Sequence, residues 1–217
     1  MNPGEAGLSA LIILASYLLG SVPFGFIAAR IRGVDITRQG SGNTGATNVL
    51  RTIGAAWAVP VLLLDVGKGA LSAYLGLRYL GMGTLGALIA GAFAIAGHNW
   101  SVFLRLRGGK GVATSAGVLL VAFPMIIAVA VGVFLLTVLV TRYVSAGSLL
   151  GAWSAFLFSL TPEYGWTERA SVLILVCLIT YQHRANIRRL LGGNESKIGQ
   201  KAKTGPGGLD KKGGATR

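Results

Sequence analysis

Acid is scarce in this chain, and so is sulfur. Its 217 residues hold seven carboxylates and one cysteine, Cys177. A single cysteine excludes an intrachain disulfide, and Cys177 lies inside an apolar run, too deep for an obvious nucleophile. Charged residues of both signs make up only 12% of the chain and hydrophobic residues 53%, whereas a soluble domain carries about 25% charged residues. With a mean hydropathy of +0.64, the composition is that of an integral membrane protein. Several kinds of chemistry are missing too. No Cys, Asp or Glu cluster has metal-ligand spacing, so neither metal nor cofactor is expected. No G-x-S-x-G elbow of a serine hydrolase is present. Gly109-Lys110 is followed by Gly111, and the position five before Gly109 is Leu104, so a Walker A loop and ATP have no support. The first seven residues carry Glu5 and no basic region, so no cleaved signal is expected.

What is abundant is positive charge. Twenty Lys and Arg give a formal net charge of +13. In a soluble protein that excess would suggest nucleic acid. Here it reads as basic cytoplasmic loops facing anionic lipid, with no nucleic-acid partner. A helix needs about 20 apolar residues to cross roughly 30 Å of hydrocarbon. Leu8–Ala29, Ile53–Leu77, Met82–Leu104, Val144–Leu160 and Ala170–Gln182 are span candidates. The long apolar stretch Val112–Thr141 has Pro124 inside it and basic residues at both ends, Arg105, Arg107 and Lys110 before and Arg142 after. A single crossing would put these clusters on opposite sides, against the positive-inside rule. A hairpin turning near Pro124 keeps them together, as Val112–Phe123 and Met125–Thr141. The expectation is an all-α integral membrane protein of about seven transmembrane helices. Its N-terminus would be outside and its C-terminus cytoplasmic. Residues 1–195 form one domain, and 196–217, rich in Gly and Lys, read as a disordered basic tail.

This topology brings three polar segments to the inner face. The first, Ser41–Arg51 (S-G-N-T-G-A-T-N-V-L-R), combines Gly42 and Gly45 with Ser41, Asn43, Thr44, Thr47, Asn48 and a closing Arg51. Glycines let successive backbone N–H groups point at one centre, and hydroxyls and a guanidinium complete a phosphate site. Gly40, Gly42 and Gly45 also spell G-x-G-x-x-G, with Asp65 about 20 residues on. A dinucleotide fingerprint counts only between a strand and a helix, and here it follows a membrane span. The second segment is Arg107–Thr114 (R-G-G-K-G-V-A-T). Lys110 at a helix start faces an already positive terminus, as Arg51 does near the start of the second span, and a bound anion would relieve both. The third is His183–Arg189 (H-R-A-N-I-R-R), with His183 and Asn186 on one helix face. Arg184, Arg188 and Arg189 there also satisfy the positive-inside rule and the negative helix end. Asp65 and Lys68, three apart in the second span, read equally as an internal ion pair or as substrate ligands. His98 and Asn99 sit in supporting positions.

These motifs resemble those of the bacterial acyl-phosphate-dependent glycerol-3-phosphate acyltransferases. The likeness runs from Y-L-L-G-S-V-P-F-G (Tyr17–Gly25) through S-G-N-T-G-A-T-N-V-L-R, G-H-N-W-S-V-F and G-G-K-G-V-A-T to H-R-A-N-I-R-R-L-L and L-L-G-G-N-E (Leu190–Glu195). The H-x-x-x-x-D pair of acyl-CoA-dependent glycerolipid acyltransferases is absent: five after His98 is Phe103, and five after His183 is Arg188. The resemblance implies a seven-helix enzyme of the bacterial inner membrane, active on the cytoplasmic face. It would move an acyl group from acyl phosphate to the 1-hydroxyl of glycerol 3-phosphate, giving lysophosphatidate and phosphate, the first step of phospholipid synthesis. Its partners would be those two substrates, membrane lipid and the enzyme that makes acyl phosphate, with oligomeric state open. By motif position, Ser41, Lys110, His183 and Asn186 are the catalytic candidates. Asn43, Arg51, Gly109, Ser145 and Arg184 join Ser41, Lys110 and Asn186 as phosphate or substrate ligands, and Asn48, Asp65, Lys68 and His98 support them. The rival readings are a phosphate or organophosphate transporter, which would favour midplane sites in repeated halves, and a lipid-binding scaffold.

Overall fold

In the computed structural model, residues 3–200 are described, and their regular elements are all helices, joined by loops, with no strand among them. The first apolar segment forms α1 (Pro3–Ser21) and α2 (Phe24–Ile31), interrupted at Val22-Pro23, where proline cannot continue the hydrogen-bond ladder. A short α3 (Ala46–Ile53) precedes α4 (Ala55–Tyr79) and α5 (Thr84–Asn99). Then come α6 (Val112–Ala122), α7 (Pro124–Thr141), α8 (Val144–Ser159), α9 (Trp166–Gln182) and α10 (Arg184–Leu191). The break between α6 and α7 falls where proline predicts it, with Pro124 in the first turn of α7.

Four helical segments have the length and apolarity to cross a membrane: Gly4–Ile31, Ala55–Tyr79, Thr84–Leu104 and Pro124–Thr141. The pair α9 and α10, bent by 61°, makes a fifth if read as one broken span. The expected spans Val112–Phe123 and Val144–Leu160 become α6 and α8, both shorter apolar helices. The second expected span began at Ile53, which put Arg51 at its start. Instead Gly54, at φ +94°, breaks the chain there, and Arg51 occupies the last turn of the separate α3. A cation in a last turn suits the negative helix end, so the dipole argument applied to Arg51 does not hold. The third span reaches Leu104 as expected, but not as one helix: α5 stops at Asn99, a 3-10 turn follows over Val102–Leu104, and the chain then folds back through Arg105 and Leu106, both left-handed at φ 53° and 61°. That conformation costs non-glycine residues energy and persists only where surrounding structure enforces it.

Helix α1 packs along α5, α4 packs on both α5 and α6, and α7 on α8, with α8 also against α9. Small residues set these crossings. A Cβ at Gly69 of α4 would fall 2.1 Å from the Thr114 carbonyl oxygen of α6, and one at Gly117 of α6 would fall 2.0 Å from the Val66 carbonyl oxygen of α4. The two backbones therefore touch directly, the packing mode favoured where lipid removes the hydrophobic drive between helices. This contact fixes the start of α6, and with it Lys110, against α4. Residues 201–217 of the expected tail lie outside the described residues. Its first residues, 196–200, belong to the folded chain: the Ile198 N–H donates to the Arg142 carbonyl, and Arg142 Nη2 donates back to the Ile198 carbonyl at 3.0 Å. Backbone carbonyls, which composition does not reveal, are what hold this segment.

Candidate active site

The segment Ser41–Asn48 is organised by one side chain. Buried Asn48 accepts from the Ser41 N–H at 3.1 Å, and its Nδ2 donates to the carbonyls of Asn43 at 2.9 Å and Gln39 at 3.0 Å. Asn43 in turn caps the Gly45 N–H at 2.8 Å. Asn48 thus positions the loop rather than facing a ligand through its own amide. The loop leads into α3, whose N-terminus has no side-chain cap. The same is true of α6 and α8. The first residues of all three helices, Ala46, Val112 and Val144, line one cavity of about 450 Å³. Three positive helix ends with uncapped N–H groups make an anion site.

The second segment is pressed on the end of α5. The Gly109 N–H donates to the His98 carbonyl at 2.9 Å, and a Cβ at Gly109 would fall 2.0 Å from His98 Nε2. Gly109 was expected to offer its N–H to phosphate. That N–H is already used, and glycine is required there to let the loop lie flat on the imidazole. Gly111 follows in a left-handed conformation, φ +79°, opposite Asn99. Lys110 between them points to the third segment, where its Nζ donates to Asn186 Oδ1. Burial pulls the Lys110 ammonium down to about 8, with Arg189 and Arg51 adding to the effect and Glu195 opposing it.

The third segment supplies His183, Asn186 and Arg189, and a residue that sequence reasoning missed. Glu195 is buried among them. Its Oε1 accepts from Ser145 Oγ at 2.8 Å and Asn186 Nδ2 at 2.7 Å, and its Oε2 accepts from Arg189 Nε at 2.6 Å. Burial pushes this carboxyl up, but the donors Arg189, Asn186 and Ser145 outweigh it and hold the acid below its ordinary range. The signal was available: Glu195 is the first carboxylate after the three arginines within Arg184–Arg189, in an acid-poor chain. His183 Nδ1 lies 2.8 Å from the Ile179 carbonyl. A carbonyl only accepts, so Nδ1 carries the proton and the Nε2 lone pair is free in the neutral ring.

Arg51 reaches the same place, with Nη2 donating to the Ser196 carbonyl at 2.7 Å. Ser41, Asn43, Asn48, Arg51, Asp65, His98, Lys110, Ser145, His183 and Asn186 all line the cavity, and so does Glu195. Arg184 does not: its guanidinium stands 4.5 Å over the Tyr181 ring on the exposed side of α10. The 61° bend turns His183 and Asn186 inward and leaves Arg184 out. Lys68 is absent from the cavity wall too. It pairs with Asp65 at 2.8 Å and donates to the Val22 carbonyl at 3.0 Å, tying α4 to the break between α1 and α2. Asp65 also lies 3.5 Å from His98 Nδ1.

Beyond its polar end the cavity continues between α6, α7, α8 and α9 along Ile179, Val176, Phe134 and Ala155. A cationic pocket opening into an apolar slot, in an all-helical bundle with membrane-length helices, places anion-binding groups beside hydrocarbon-lined space in a membrane-embedded protein. Comparison with known proteins gives the particular family. Residues 10–193 match the family model for glycerol-3-phosphate acyltransferase. A glycerol-3-phosphate acyltransferase of Thermoanaerobacter sp. (strain X514) is 44% identical over 197 residues, covering 89% of this chain and 97% of the relative. Glycerol-3-phosphate acyltransferase 1 of Deinococcus radiodurans is 45% identical over 196 residues, covering 89% and 98%. Crystal structures of PlsY (YgiH), an integral membrane glycerol 3-phosphate acyltransferase, superpose on the fold. The glycerol 3-phosphate form has a TM-score of 0.83 at 38% identity, covering 88% of this chain and 96% of that one. The lysophosphatidic acid form gives 0.80 at 37%, covering 88% and 95%. The chain belongs to the glycerol-3-phosphate acyltransferase family, and it is a multi-pass membrane acyltransferase.

Proposed function

We propose that this protein transfers a fatty acyl group from acyl phosphate to the 1-hydroxyl of sn-glycerol 3-phosphate, yielding lysophosphatidate and inorganic phosphate. The observation that carries this reading is the joint between the two halves of the cavity. Arg51, Lys110 and three helix N-termini crowd the end where the apolar slot begins. Both substrates bring phosphate to that joint, and one brings a hydrocarbon chain. An acyl phosphate is a mixed anhydride and needs no further activation. The acceptor hydroxyl oxygen bonds to the acyl carbon, the carbon–oxygen bond to phosphate breaks, and its electron pair leaves on the phosphate. Lys110 and the N–H groups opening α6 hold that leaving charge. Arg51 and Ser41 hold the other phosphate. The hydroxyl proton passes to His183 Nε2 or to the phosphate of the acceptor itself. Asn186 fixes the Lys110 ammonium, and Ser145 with Glu195 fixes Asn186.

The proposed setting is a bacterial inner membrane, with seven crossings, the N-terminus outside and the polar end on the cytoplasmic face, where the enzyme that makes acyl phosphate would supply the donor. The basic loops around Arg105, Arg142 and Arg188 support that orientation. Transport is disfavoured, because the polar groups gather at helix ends and the Asp65–Lys68 pair is spent on joining helices. The test offers purified protein and glycerol 3-phosphate one donor at a time: palmitoyl phosphate, palmitoyl-CoA or palmitoyl acyl carrier protein. Phosphate release with palmitoyl phosphate alone is expected. Turnover only with the thioesters would overturn the donor assignment.

A further inference from the structure

Arg51 is held by a distant part of the chain. It lies in the last turn of the eight-residue α3, half-buried, and lines the cavity. Among the described residues its one hydrogen-bond partner is the Ser196 carbonyl, at 2.7 Å and 145 residues away in sequence. A guanidinium is planar and carries five N–H donors. Committing one of them on Nη2 fixes the plane of the fork and leaves the others for an anion.

The Ser196 carbonyl is itself held from both sides. Just before it, Glu195 is bound by Ser145, Asn186 and Arg189. Just after it, the Ile198 N–H donates to the Arg142 carbonyl at 2.8 Å, and Arg142 Nη2 donates to the Ile198 carbonyl at 3.0 Å. Between these anchors the Lys197 ammonium stands 5.4 Å over the Tyr143 ring. Residues 195–198 therefore form a strap from the end of α10 to the α7–α8 junction, with the Ser196 carbonyl turned to α3. The family match ends at residue 193, so the strap lies beyond it.

We propose that residues 195–198 are a positioning strap: clamped through Glu195 and Arg142, they present the Ser196 carbonyl to Arg51 and preset its guanidinium for the phosphate of glycerol 3-phosphate. This rests on Arg51 holding the acceptor's phosphate, as in the proposed function. A free arginine gives up rotamer freedom when it binds an anion, and one already held gives up less. The strap thus acts on acceptor binding and not on the bond-making step.

The test compares Arg142→Asn and Ile198→Pro with wild type, all as full chains. Asparagine tolerates the left-handed backbone of Arg142, φ 63°, and removes the guanidinium. Ile198 and left-handed Gly199, φ +86°, form the centre of a turn closed by the Gln200 N–H on the Lys197 carbonyl at 3.3 Å. Proline fits the first central place of such a turn and removes only the N–H that reaches Arg142. Steady-state kinetics with palmitoyl phosphate are measured, and separately the protection against thermal unfolding given by glycerol 3-phosphate alone. In both variants KM for glycerol 3-phosphate is expected to rise about three- to tenfold. The kcat and the KM for palmitoyl phosphate should stay within about twofold, and protection by glycerol 3-phosphate should weaken in step. A general loosening of the fold would lower kcat as well, so the split separates the two. Should Ile198→Pro not fold, Arg142→Asn decides alone. An unchanged KM for glycerol 3-phosphate in the folded variants, or a fall in kcat with that KM kept, overturns the strap. A KM that rises for palmitoyl phosphate instead keeps the strap and moves Arg51 to the donor's phosphate. Weakened protection in a protein that turns over no acyl phosphate keeps the strap and rejects the donor.

Discussion

Replacing Glu195 by alanine removes the carboxylate that stands in the cavity wall beside Lys110, Arg51 and Arg189. In the wild type that carboxylate is 6% exposed and accepts three side-chain hydrogen bonds, from Ser145 of α8 and from Asn186 and Arg189 of α10. Removing one partner of a buried pair costs about 3–5 kcal/mol, because the other charge is left uncompensated. Arg189 is 38% exposed, so water recovers part of that loss and the figure falls to about 2–3 kcal/mol. The assay is thermal unfolding in detergent. At about 2–4 °C per kcal/mol for a chain of this size, Glu195→Ala should melt roughly 4–12 °C below wild type. Glu195→Gln keeps the bonds to Ser145 and Asn186 but turns an amide donor on Arg189 Nε, and should fall between. In both variants Lys110 loses the neighbouring carboxylate that favours its charge. The high-pH limb of activity should therefore move to lower pH. A melting point equal to wild type in Glu195→Ala would refute the claim that this carboxylate ties α8 to α10 and the chain end.

Other expectations can be checked with the same purified protein. Lys110 loses its proton near 8. Since the ammonium is the working form, kcat/KM should fall about tenfold per unit as pH rises above that value. Lys110→Arg, always charged, should remove this limb whatever its absolute rate, and a limb that stays would assign it to another group. Gly109→Ala should cut turnover by about a hundredfold, because a methyl cannot share space with His98 Nε2 and must displace Lys110. Adding His98→Ala opens that space and should restore part of the loss, whereas equal activity in wild type and Gly109→Ala would contradict the packing. Arg184→Ala should leave kcat and KM within about twofold, since its guanidinium lies over Tyr181 outside the cavity. A large rise in KM for glycerol 3-phosphate would restore Arg184 as a ligand.

Much of the site was legible in sequence, because Gly-rich polar runs beside apolar spans have few other uses. Ser41, Arg51, Lys110, His183 and Asn186, far apart in the chain, line one cavity. The break at Pro124 was legible too, since proline acts locally. What could not be read depends on backbone geometry. The hinge at Gly54 put Arg51, expected near the start of a long helix, in the last turn of a short one. The fold-back through Arg105 and Leu106 spent the Gly109 N–H on His98. The bend at His183 separated Asn186 from Arg184, neighbours in sequence with opposite fates. Glu195 and the docked residues 196–200 were missed because composition reads Gly, Lys and Ser as tail, while their anchors are carbonyls and a single acid.

Direct transfer at the polar joint is tested by giving the purified protein palmitoyl phosphate with and without glycerol 3-phosphate and following phosphate and lysophosphatidate together. The account predicts phosphate release only when the acceptor is present, one phosphate for each lysophosphatidate formed. A burst of phosphate without acceptor, equal to the enzyme present and leaving an acylated protein, would contradict it.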